Sequence, residues 1–376
     1  MPLTTTRIHA DTATVTVASL TPAVTEWSVR YFGPWWNAAA ADDAGPGALS
    51  DGGGLVLADV DPVRVDDITT LVTDYGHDET TYANTRTLVA RADGITYAVQ
   101  PGERIGYQAD GRRLVIVGDE AEPVAVAAAR LARELVRGQL LADGWTVLHA
   151  SAVTHNGEAV LTLGDKGAGK TTTALLLALD GWGLLANDRV FVRLESEGQV
   201  RVLPWPSAAA LGLGLLDATG LYDQVRERVL AGGQLHPTQH PTVTQALMDG
   251  HREPLWRETG KELKPQFFPD QLASWLGLTL ATEAHVAGLL FPTMTPDALP
   301  ALVDNRRTLT NADVFDQKTE DRYPDIFGLT PTAVTATQAL TEHLARLPRR
   351  SLVLSHDTAA SASLLTKTAE EITATH

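Results

Sequence analysis

The chain has 376 residues, 44% of them hydrophobic and 20% charged, which suits two domains of ordinary size and excludes wholesale disorder. Its formal net charge of −16, with an isoelectric point near 5.1, excludes the broad basic footprint that a nucleic-acid partner requires. Cysteine is absent, which removes disulfides, zinc–thiolate sites and thiol nucleophiles.

In chain order, residues 1–120 read as a β-rich N-terminal domain. Thr14–Ser19, Leu55–Ala58, Thr87–Ala92, Thr96–Val99 and Leu114–Val117 are short runs rich in β-branched residues, separated by Gly/Asp turn signals. Arg91-Ala92-Asp93-Gly94-Ile95 has the composition of a hairpin connection. Asn37–Gly54, rich in Ala, Gly and Asp, reads as a loop. Pro123 opens an amphipathic helix on which Val124, Ala128, Leu131 and Leu135 share a face, and Gly144 closes it. The change of composition puts a domain boundary near residue 120, so the second domain spans 121–376. No window holds ~18 uninterrupted apolar residues, so neither a membrane span nor a membrane partner is expected, and a cytoplasmic location is.

From Trp145 the pattern changes to strand, turn, strand, loop, helix, strand, the order of an α/β domain. Thr146–Val153 and Glu158–Leu163 read as strands joined at His155-Asn156-Gly157. Thr171–Leu179 reads as a helix, and Trp182–Ala186 and Val190–Leu194 as further strands. Ala208–Leu216, Leu221–Leu230 and Pro269–Leu276 have helical character, and His236–Pro241 and Gly250–Pro265 read as polar loops.

One segment carries recognisable chemistry. Gly164-Asp165-Lys166-Gly167-Ala168-Gly169-Lys170-Thr171 fits G-x-x-x-x-G-K-[ST] at every specified position, between an apolar strand and a helix. Glycines let successive backbone N–H groups turn inward around phosphate oxygens, and the helix start presents its positive dipole end to the same anion. Lys170 is placed to reach the β- and γ-phosphates, the Thr171 hydroxyl to join a magnesium shell, and Thr172 to lie beside them. Lysine is scarce in this chain, and its first occurrences, Lys166 and Lys170, both fall in this loop. Asp188 follows the apolar run Leu184-Leu185-Ala186 at the carboxyl end of a strand, where open α/β sheets bind ligands and a carboxylate can hold magnesium. His149, in the strand before, is by itself more often a packed residue than a functional one.

The stretch Leu148-His149-Ala150-Ser151-Ala152-Val153, followed by a turn, the glycine-rich loop and Gly181–Val190, resembles the kinase core of the HPr kinase/phosphorylase family. It is also similar to the core of ATP-dependent phosphoenolpyruvate carboxykinase. The resemblance covers about residues 122–195. It implies a P-loop kinase domain with ATP and Mg2+ as cofactors. It also implies Lys170 on the phosphates, Thr171 and Asp188 on the metal, His149 beside the transferring phosphate, and a carboxylate taking the acceptor's proton. Self-association is implied too. The sequence departs from the family in having Asn187 for the first acid of a pair, Thr172 where an acid usually follows, and no glycine- and arginine-rich signature after residue 195.

The function expected is therefore transfer of the ATP γ-phosphate to a hydroxyl of a small molecule or peptide. Two alternatives stay open: an HPr-type protein serine kinase, and an ATP-binding switch or assembly protein without phosphoryl transfer. Arg252, Arg257, Lys261 and Lys264 are candidate substrate contacts, against a plain reading as a solvated basic loop. Acceptor specificity is also sought around Asn305–Asp325, where Arg306, Arg307, Lys318 and Arg322 cluster with acids. His236 and His240 do not make a zinc pair on a helix, because Pro237 and Pro241 deny them a regular helical face.

Overall fold

The computed structural model describes residues 2–41, 53–304, 307–315, 324–331 and 338–374. Most of the expected loop Asn37–Gly54 lies outside these, as do Asn305, Arg306, Lys318 and Arg322. The chain forms two compact units, both mixed α/β. The first comprises Met1–Trp145 with Asp316–Val334, and the second Thr146–Phe315 with Thr335–His376.

Among the described residues, the first unit is built on a nine-stranded sheet. Its elements are β1 (Thr4–Ala10), β2 (Ala13–Ser19), α1 (Pro22–Trp36), β3 (Ala39–Ala40), β4 (Gly54–Val60), α2 (Pro62–Asp74), β5 (Asp78–Tyr82), β6 (Thr85–Ala92), β7 (Ile95–Gln100), β8 (Ile105–Asp110), β9 (Arg113–Gly118) and α3 (Ala121–Ala142). The strand order is β3-β1-β2-β4-β9-β8-β7-β6-β5. β2, β4 and β9 run parallel, and β9 to β5 form an antiparallel meander. The expected hairpin at Asp93-Gly94 is present, with both residues at positive φ as a type I′ turn requires.

Alternation along β9 sends Val115 and Val117 to the face covered by Val65, Ile68 and Val72 of α2. Each such fully buried aliphatic side chain stabilises the fold by roughly 1.5–3 kcal/mol. The division between units falls at Trp145 rather than near 120 because α3 packs on β2, β4, β9 and α1. The sequence reading also misses α1 and α2. α1 contains Pro34 and many aromatics, poor helix formers, and its helical state rests on burying Val24, Tyr31, Phe32, Trp35 and Trp36. α2 starts where the Asp61 side chain accepts from the Arg64 N–H and Pro62 takes the first turn.

The second unit is also built on a nine-stranded sheet among the described residues. Its first elements are β10 (Thr146–Leu148), β11 (Ala150–His155), β12 (Glu158–Leu163), α4 (Lys170–Leu179), β13 (Gly183–Ala186), β14 (Val190–Leu194) and β15 (Val200–Pro204). A lobe follows, with β16 (Ala209–Ala210), α5 (Leu213–Ala218), α6 (Tyr222–Leu230), α7 (Pro241–Met248), β17 (Leu255–Trp256), β18 (Glu262–Leu263), β19 (Gln266–Phe267) and α8 (Pro269–Ser274). The unit ends with β20 (Ala284–Met294), β21 (Ala301–Val303), α9 (Gln338–Arg346), β22 (Arg349–Leu354) and α10 (Thr358–Thr373).

The main path of the sheet is β10-β14-β15-β20-β12-β11-β13, with β22 pairing β20 and β21 pairing β22. α4 and α10 pack together, and α9 packs against β14 and β15. The expected single strand Thr146–Val153 is broken at His149. β10 pairs with β14 and β11 with β12 and β13, so the chain changes partners there. The expected helix Ala208–Leu216 is instead a two-residue strand followed by α5. Gly212 separates them, lying so close to the Glu262 carboxylate that a Cβ would be 2.3 Å from Oε1. Pro241 begins α7 rather than ending a loop, and Gly250–Pro265 contains the β17–β18 hairpin.

Candidate functional site

β12 runs parallel to β20, which runs parallel to β22. β11 is antiparallel to both β12 and β13, so β13 points the same way as β12. The carboxyl ends of β12, β13, β20 and β22 therefore share one edge of the sheet, the edge at which α/β proteins bind ligands. The glycine-rich loop leaves β12 at this edge, and Asn187-Asp188 leaves β13 there.

The loop's glycines answer specific crowding. A Cβ on Gly164 would lie 2.8 Å from that of Ala168. Gly169, the residue before α4, has φ 105 and would put a Cβ 3.1 Å from Met294 at the end of β20. The Ala168 N–H donates to the Asp165 carbonyl at 3.1 Å, curling the loop on itself. The Lys170 ammonium lies against the loop, donating to the carbonyls of Gly164 at 2.6 Å and Asp165 at 3.2 Å. Ser151 on β11 donates to the Lys170 carbonyl at 2.8 Å and so ties the start of α4 to the sheet. Burial holds the Lys170 pKa below the ordinary lysine value. The charges of Asp188, Asp165 and Asp313 oppose that shift, and Arg307 adds to it.

Thr171 and Thr172 are half-buried at the helix start, while Asp165, Lys166 and Gly167 are exposed. Asp188 is half-exposed, with an oxygen 3.8 Å from the Arg189 Nε. Asn187 is buried, and its side-chain oxygen accepts from the Ser207 hydroxyl at 3.4 Å. His149 follows β10, and register places Ala150 opposite Leu163, so His149 lies beside the start of the loop. Its N–H donates to the Asp313 carbonyl at 2.8 Å, and its ring meets Phe315 edge-on at 5.2 Å.

Asp313 was not among the sequence candidates, and Arg307 stood only in a charge cluster. The segment 313–315 runs beside 147–149, with Val314 bridging Leu148 and the Phe315 N–H donating to Val147. No local motif marks this pairing, because it joins positions far apart in the chain. The Asp313 carboxylate accepts from Arg307 Nη2 at 3.2 Å, the Thr310 N–H at 2.9 Å and the Thr310 hydroxyl at 3.0 Å. Arg307 also lies 3.9 Å from the Asp165 carboxylate, and its guanidinium sits over Phe291 at 5.0 Å.

The four basic candidates from the 250–265 region lie in the lobe of this unit that carries the β17–β18 hairpin. Arg252 bridges Asp217 and Asp223 and lies over the Tyr222 ring at 4.4 Å. Lys264 pairs with Glu262 at 2.9 Å. Arg257 and Lys261 close the β17–β18 hairpin, the Arg257 N–H donating to the Lys261 carbonyl at 2.9 Å.

The donor set fits a nucleotide-bound Mg2+ better than a protein-caged ion. Thr171 and Asp188 offer one hydroxyl and one carboxylate, the small protein share typical of magnesium on phosphates. Among the described residues, no group of three or more His, Asp or Glu could hold a metal alone. Nor is any helix among them long and apolar enough to cross a membrane.

No protein-family model matches the chain, and no curated protein matches it. Among solved structures it is similar to the HPr(Ser) kinase/phosphatase from Coxiella burnetii, at 10% identity. That match covers 60% of this chain and 98% of the other, with a TM-score of 0.24. This is a distant likeness, and the functional reading rests on the site's own residues.

Proposed function

We propose that the chain is an ATP-dependent phosphotransferase that moves the γ-phosphate of ATP to a hydroxyl of a small molecule or peptide. One observation carries the reading: the glycine-rich loop curls at the carboxyl edge of β12 with Lys170 inside it, and the charges of Asp188, Asp165, Asp313 and Arg307 all act on that lysine. A lysine donating to loop carbonyls at a helix start suits a phosphate chain.

In this reading the loop N–H groups and the start of α4 hold the phosphates, and Lys170 turns from the loop carbonyls to the β- and γ-oxygens. Thr171 and Asp188 are the residues that would hold Mg2+. When bound, that ion would supply charge neutralisation to the phosphates. The acceptor's hydroxyl oxygen forms a bond to the γ-phosphorus as the bond to the bridging oxygen of ADP breaks. Asp188 takes the hydroxyl proton, and His149 orders the same edge. Catalysis comes from positioning and charge neutralisation, with no covalent enzyme intermediate.

Asn187 gives a second reading its support. A buried amide held by Ser207 replaces an acid, which suits a chain that binds ATP as a switch. Incubation with labelled ATP and candidate hydroxyl acceptors, peptides included, separates the two. Label appearing on an acceptor supports transfer, whereas tight ATP binding with no transfer and no ADP formation supports the switch.

Arg252, Arg257, Lys261 and Lys264, in the lobe that carries the β17–β18 hairpin, are the proposed acceptor contacts. Arg252 pairs there with Asp217 and Asp223, and Lys264 with Glu262. Alanine at Arg257 and Lys261 is expected to raise the acceptor KM by about tenfold while leaving ATP binding intact. Unchanged acceptor kinetics in both variants would remove them from the site.

A further inference from the structure

Asp313 is the most deeply buried carboxylate at this edge, with a side chain 4% exposed against 51% for Asp188. Its position makes it unsuited to meeting an acceptor, yet it joins several parts of the site. Its carboxylate takes the Arg307 guanidinium and both Thr310 donors, and its carbonyl takes the His149 N–H. The Arg307 it holds reaches the first glycine of the loop. A Cβ on Gly164 would lie 3.4 Å from Arg307 Nη1, and the Asp165 carboxylate is 3.9 Å from Nη2. The Phe291 face beneath the guanidinium restricts it from the other side. A planar guanidinium gripped in this way is held in one orientation, as recognition of a phosphate by arginine demands.

We propose that Asp313 is a positioning residue that holds Arg307 over the loop, so that the arginine favours the terminal phosphate of ATP over a chain ending at the β-phosphate. The inference rests on the glycine-rich loop being the nucleotide site. It gives the buried carboxylate a different duty from the acid absent at Asn187: it neither holds metal nor takes a proton, and acts through Arg307. A purely structural Asp313, closing the turn at Thr310, would not distinguish ATP from ADP.

The test compares ATP and ADP affinities by calorimetry in the full chain and in Asp313→Asn, Arg307→Ala, the double variant and Thr310→Val. Asp313→Asn is expected to lower the ATP-to-ADP affinity ratio by about tenfold, as Arg307→Ala does. The double variant should fall no further than Arg307→Ala alone, since both remove one interaction. Thr310→Val, which removes only a hydroxyl from the carboxylate, should keep the native ratio. Asp313→Glu serves if the asparagine variant does not fold: it keeps the charge, shifts the carboxylate by one methylene and should also lower the ratio. A native ratio in a folded Asp313→Asn or Asp313→Glu chain, or additive losses in the double variant, would overturn the proposal and leave the nucleotide reading intact. A native chain that binds neither nucleotide would overturn both.

Discussion

Lys170 sits at the meeting point of opposing fields, and its protonation is the most direct residue-scale consequence. Burial lowers its pKa, with Arg307 adding to the effect, while Asp188, Asp165 and Asp313 pull it back up. Between the lowered value and the ordinary 10.5, the unfolded chain therefore binds more protons than the folded one at this residue, and stability gains with pH across that window. A bound phosphate chain favours the ammonium and reverses the shift. ATP binding is then expected to take up a proton at alkaline pH, and affinity to fall as pH rises through the lowered Lys170 pKa. Calorimetry in buffers of different ionisation enthalpy measures that uptake. Identical observed heats in all the buffers, with affinity flat across the alkaline range, would show that Lys170 does not meet the phosphates. The lysine itself could be read from the motif, and so could Asp188 from its place after an apolar strand. Asp313 could not: it is one of several acids between Asp304 and Asp325, and its meaning comes from the Leu148–Val314 bridge.

At the scale of elements, α3 shows how one position can answer to a segment far away in the chain. Gly138 lies inside this helix, where glycine costs about 1 kcal/mol relative to alanine. The reason is the carbonyl of Leu329, which would lie 2.0 Å from a Cβ at this position. Residues 324–331 pass here, with the Ile326 carbonyl accepting from Arg91 and Phe327 lying against Tyr82 and Tyr107. Gly138→Ala should therefore destabilise the first unit by about 1–3 kcal/mol despite the better helix former. Urea unfolding measures this, and a variant as stable as the native chain would mean that the segment does not pack on α3. Local rules made α3, β2, β6, β7, β9 and β12 legible, since each shows clean periodicity or a turn at its end. They failed at α1, whose aromatics and Pro34 speak against a helix until the buried face is known. They failed again at His149, where a single run of β-formers is divided between strands pairing with different partners.

For the molecule as a whole, the two units offer different handles on stability. In the first, Tyr107 is buried and donates to the Gln100 side chain at 2.9 Å, and burial pushes its pKa up to about 12 against the positive charge of Arg130. Burial moves Tyr82 in the same direction. With the folded value above the unfolded 10.0, this contribution is complete below pH 10 and is lost as pH rises toward 12. Denaturation midpoints followed from pH 9 upward should fall in that window, and Tyr107→Phe should flatten the fall. An equal slope in the variant would place the loss elsewhere. In the second unit, the carboxyl edge of β12 carries the proposed nucleotide site. The measurement that tests it most directly is calorimetric titration of ATP with magnesium into the native chain and Lys170→Ala, with ADP formation followed in the same samples. The native chain is expected to bind ATP saturably, and the variant to lose about tenfold or more in affinity. Failure of the native chain to bind ATP, or equal binding by both, would contradict the nucleotide reading.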